Sequence, residues 1–116
     1  MKKINKICIY NIFFVILRRF LNVMVGGIVY IIVYEIKDPD RERQFLEVLE
    51  RVSVESNQFI PKSFLVISNL DRKSVYDRLR EQMTQADLLM ISEVGRDKIS
   101  GWLPSSTVDW VKEKLY

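Results

Sequence analysis

IVYIIVYEI, residues 28–36, is almost continuously apolar and rich in β-branched and aromatic side chains. Such a run reads as a buried central strand. It ends at Lys37, where polar residues take over. Asp38 is placed to cap a helix, with Pro39 at its first position and Asp40 and Glu42 in the first turn. Phe45, Leu46, Val48, Leu49 and Val52 follow at helical spacing and give that helix one wide apolar stripe. Residues 56–60 form a weaker strand that Pro61 interrupts, as at a sheet edge or a bend. SFLVIS, residues 63–68, is a second buried strand. Asp71 caps a second helix whose inner face is expected to carry Val75, Tyr76, Leu79 and Met83. LLMISEV, residues 88–94, is a further strand stopped by Gly95. Trp102, Leu103 and Pro104 then lead into a last helix with Val108, Val111 and Leu115 on one stripe and Trp110 beside it. The order β-α-β-β-α-β plus a C-terminal helix predicts an α+β, ferredoxin-like sandwich: two helices on one face of an antiparallel sheet.

The 116 residues carry a formal charge of +3, very unevenly spread. Residues 1–23 hold five basic side chains and no acidic one, whereas residues 24–116 hold thirteen basic and fifteen acidic ones and sum to −2. Overall basicity is therefore a property of the leader and does not point to a nucleic-acid surface on the body. The 93 residues of the body are enough to bury roughly 60–68% of their unfolded surface, one modest core without a large enclosed cavity.

The chain has no histidine, which removes Ser-His-Asp, Cys-His and His-metal chemistry. Its one cysteine, Cys8, leaves no internal disulfide and no cysteine-cluster metal site. Four glycines give neither a dinucleotide fingerprint nor a phosphate-binding loop. Chemistry is left to carboxylates, Lys, Tyr, Ser, backbone amides or a hard cation held by oxygen.

In the leader, residues 7–17 (ICIYNIFFVIL) follow three lysines. Eleven residues are too few for a transmembrane helix, which wants about 20. Arg18 and Arg19 stand where a signal peptide would need small residues. Fifteen of the 23 leader residues are Ile, Asn, Lys, Phe or Tyr, the bias of translated AT-rich DNA. Three readings stay open: translation starting at Met24, a membrane-associated or signal-like tail, and an ordered extension. The expected division is a leader over 1–23 and one domain over 24–116.

The first strand resembles the opening "VxxYDI" strand of the CRISPR-associated Cas-two superfamily. PKSFL, residues 61–65, resembles the "Q-x-S-V-F" segment that begins that family's third strand. GWLP at 101–104 and DWVK at 109–112 are closer to a stand-alone, SinR-like branch of small prokaryotic proteins that share the fold outside CRISPR loci. The resemblance spans roughly residues 27–115. It implies a cytoplasmic homodimer in which strand-end carboxylates of two subunits face each other and can hold a divalent cation. Some members cleave nucleic acid and others are non-catalytic scaffolds.

The family's aspartate falls on Glu35, the candidate catalytic and metal-binding residue, acting with the partner subunit's copy. Its extra methylene displaces the oxygen from where octahedral Mg²⁺ would want it. Asp38 and Asp40 would have to fold back to complete a site. The competing reading is a salt-bridged glutamate where a strand meets a loop. Lys37, Arg41 and Arg43, like Arg72, Lys73, Arg78 and Arg80, interleave with acids and read as solvated faces rather than phosphate contacts. Trp102 and Trp110 could stack on bases but fit better as anchors of the last helix. Ser63 and Ser68 have no histidine to activate them. The expected function is a small dimeric interaction or scaffold module without catalysis. The alternative is a Mg²⁺-dependent endonuclease acting on RNA or DNA, and membrane contact depends on the leader alone.

Overall fold

A computed structural model of the chain describes residues 2–4 and 27–116. Over these residues the elements are β1 (Lys2–Ile4), β2 (Ile28–Glu35), α1 (Pro39–Val52), β3 (Glu55–Ile60), β4 (Ser63–Ser68), α2 (Arg72–Arg80), β5 (Leu88–Val94), β6 (Gly101–Leu103) and α3 (Ser105–Leu115). β2 to β5 form a four-stranded antiparallel sheet in the order β3-β4-β2-β5. The fold is the expected α+β, ferredoxin-like sandwich with an added C-terminal helix.

β2 lies at the centre of this sheet, and its alternation separates two cores. Tyr30, Ile32, Tyr34 and Ile36 face α1 and α2 and pack with Phe45, Leu49, Val52, Val66, Val75 and Leu79. Val29 faces the other way, joining Leu65, Ile67, Val108, Val111, Leu115 and Tyr116 beneath α3. Continuous apolarity in β2 thus reflects cover on both faces.

Both helices of the first layer begin on the caps read from sequence. The Asp38 carboxylate accepts the N–H groups of Asp40 and Arg41 at 2.9 and 3.3 Å. The Asp71 carboxylate accepts that of Ser74 at 2.8 Å. Side-chain bonds then lock the layers together. The Tyr30 hydroxyl donates to the Leu70 carbonyl at 2.8 Å. Thr107 on α3 donates to the Asn57 side chain on β3 at 2.8 Å. The Arg96 guanidinium reaches the carbonyls of Gly27 and Lys114 at 3.1 and 3.0 Å, joining the start of β2 to the end of α3. Gly27 has φ +111°, and a Cβ there would stand 2.8 Å from Ile67 Cγ2, so both backbone and space demand glycine.

Four local expectations are corrected. α2 ends at Arg80, so Met83 lies beyond the helix, half-buried, though it still packs against the core beneath α1 and α2. Tyr76 is 43% exposed, one position round from the buried Val75 and Leu79. Residues 101–103 are a short strand, β6, rather than a lead-in to the last helix, and they pair antiparallel with β1 from Lys2↔Leu103 to Ile4↔Gly101. Trp102 is 62% exposed and belongs to neither core among the described residues, while Trp110 does pack against the core under α3. Expectations for residues 5–23 and for Met24 lie outside the described residues. Among the described residues no helix is long and apolar enough to cross a membrane.

Replacing the buried Phe45 by Ala should cost about 3–5 kcal/mol, whereas Trp102→Ala should stay within about 0.5 kcal/mol. Urea denaturation of the two variants measures both. A Trp102→Ala loss as large as that of Phe45→Ala would contradict the placement of this indole outside the core.

Candidate functional site

Glu35 closes β2, opposite Leu88 of β5, with its side chain 48% exposed. The group nearest to deciding its chemistry is Lys62, on the turn between β3 and β4. This lysine has φ +63°, and the Tyr34 N–H donates to its carbonyl at 3.1 Å, fixing the hairpin tip against β2. So held, its ammonium donates to Glu42 Oε2 of α1 at 2.7 Å and to the Ile36 carbonyl at 3.3 Å. It also stands 3.8 Å from Glu35 Oε1 and 5.4 Å from the centre of the Tyr34 ring.

The electrostatics follow from this contact. The hydrogen bond from Lys62 holds the Glu42 carboxyl below its ordinary value, and the same bond raises the Lys62 ammonium. Tyr34 is pushed well up, first by burial and then by its hydrogen bond to Glu42. Its ring is wedged between Phe45 at 4.6 Å and Phe64 at 6.4 Å between centroids. The cluster therefore consists of two carboxylates bridged by an ammonium, above a phenol that stays protonated.

This donor set does not suit Mg²⁺ within one chain. The ammonium lies between Glu35 and Glu42, in the region a cation would need. Asp38 is committed to capping α1, and Asp40 stands 3.7 Å from Arg43, so neither turns toward Glu35. No group of three potential ligands occurs among the described residues.

Several of the other candidates are engaged structurally. Arg41 pairs with Asp87, which also accepts the Thr84 N–H at 2.8 Å, tying α1 to the loop before β5. Lys73 pairs with Asp77 at 2.7 Å, and Arg80 donates to the Met83 carbonyl at 3.0 Å. Ser63 is buried, and Ser68 donates to the Val52 carbonyl at 2.5 Å while accepting the Leu70 N–H. Sequence reasoning missed Lys62 as the partner of Glu35, and Glu42 and Tyr34 as the groups around that lysine. The available signal was Lys62 itself, inside the PKSFL segment and immediately after a proline at a predicted bend.

No protein-family model matches the chain. No curated protein is significantly similar to it. Among solved structures it is similar to a hypothetical protein, TT1823, from Thermus thermophilus. The two share 23% identity with a TM-score of 0.50, over 68% of this chain and 96% of that one. At that identity the likeness speaks for the fold.

The Glu42–Lys62 bridge carries a defined pH dependence. Because Glu42 is lowered from 4.5, its contribution is complete above that value and is lost as pH falls through the folded one. Because Lys62 is raised from 10.5, its share persists below that value and is lost only as pH rises beyond it. Urea midpoints should therefore separate wild type from Glu42→Gln at pH 7 and converge as pH falls through the lowered value of Glu42. An undiminished gap at low pH would show that the bridge does not set it.

Proposed function

We propose that this chain is a homodimeric, non-catalytic interaction or scaffold module of the Cas-two-like class, acting in the cytoplasm. The observation that carries this reading is the Lys62 ammonium set between Glu35 and Glu42. A strand-end carboxylate that serves metal-dependent hydrolysis must leave room for a cation and for the phosphate that the cation polarises. Here that carboxylate faces a positive charge of its own chain. The sign of the body agrees, since thirteen basic against fifteen acidic side chains do not build the positive surface that tight phosphate binding needs. The sequence resemblance at residues 29–36, 61–65, 101–104 and 109–112 supplies the class, and the ferredoxin-like architecture is compatible with it.

The test is incubation of the purified full chain with single- and double-stranded RNA and DNA in the presence of Mg²⁺ or Mn²⁺. The expected outcome is no metal-dependent cleavage. Cleavage by wild type that disappears in Glu35→Ala would overturn the reading in favour of a metal-dependent endonuclease.

A further inference from the structure

The four-stranded sheet has two edges of opposite character. β3 is guarded: its pairing with β4 breaks at a bulge between Gln58 and Ile60, Pro61 follows directly, and Asn57 is tied to α3. β5 has none of these devices. Its seven residues pair with β2 without a register break, from Glu35↔Leu88 to Val29↔Val94. They contain no proline, lysine or arginine, and no strand among the described residues pairs along their outer side. Leu88 and Met90, both on the α3 side of the sheet, are 68% and 59% exposed. An unbroken, largely apolar edge of this kind, whose one charge is Glu93, presents unpaired N–H and C=O groups as a template for another strand.

We infer that β5 pairs antiparallel with β5 of a second copy of this chain, joining two sheets into one of eight strands. The inference rests on the proposed dimer and assigns its interface. The strand is self-complementary in one register in particular. A two-fold axis at Ile91 uses all seven residues and sets Leu88 opposite Val94 of the other copy, Leu89 opposite Glu93, and Met90 opposite Ser92. No like charges then face each other, whereas an axis at Glu93 would oppose two carboxylates and an axis at Met90 would set Glu93 opposite Asp87. Leu88 and Met90 gain cross-strand neighbours, which relieves their exposure. The assembly also closes at two copies, because the outer edges of the joined sheet are both β3, with its bulge and proline.

The experiment uses the full chain with Cys8→Ser, so that introduced thiols are the only ones. Met90→Cys and Ser92→Cys chains, each at an exposed position, are mixed and treated with a mild oxidant or a short bismaleimide. Efficient cross-linking only in the mixture is the expected result. In parallel, the solution mass of Leu88→Lys/Met90→Lys should fall from two chains to one, with an unchanged far-UV circular dichroism spectrum confirming the fold. A two-chain mass that survives the lysines, without the mixed cross-link, would overturn the β5 interface and leave the dimer standing. A wild-type chain that is monomeric at every concentration would overturn both.

Discussion

Everything in this fold is arranged around β2, which has hydrogen-bonded neighbours on both edges and cover on both faces. Such a strand has no position where a polar side chain is cheap until it leaves the layers, and the first charge in it is Glu35, its last residue. Burial of that strand fixes the rest. α1 and α2 must lie over Tyr30, Ile32, Tyr34 and Ile36, and α3 over Val29. The strand's end is also where the first polar chemistry can appear.

The layers were legible in sequence because each signal was local and strong. The apolar runs at 28–36 and 63–68 became the two inner strands, and Asp38 and Asp71 became caps whose carboxylates bond the predicted turn. What failed was local structure decided by distant partners. β6 has three residues and exists through pairing with β1, a segment a hundred residues away that periodicity cannot connect to it. Met83 continues the helical spacing of Val75 and Leu79, yet α2 stops three residues earlier. Trp102 had the composition of an anchor but falls on a short strand that turns it outward.

The candidate site shows the same division. Glu35 could be placed at a strand end, and its salt-bridged reading could be stated, but not its partner. Lys62 is 27 positions away in sequence and reaches it through a hairpin tip whose docking depends on a backbone bond to Tyr34. Glu42 arrives from α1, where sequence placed it as a first-turn acid favouring the helix dipole. Its carboxylate also accepts from Lys62, so one residue serves both the helix and the strand end.

The conformation of Lys62 has a consequence for how easily such a site changes character. A left-handed backbone at a non-glycine residue costs about 1–2 kcal/mol, and glycine or asparagine would adopt it more readily. The turn can therefore be made without lysine, and more comfortably. Losing that side chain would leave Glu35 and Glu42 as neighbouring carboxylates with no cation between them. The difference between a strand end whose two carboxylates share an ammonium and one that leaves them bare is thus a single side chain, on a turn whose geometry does not require it.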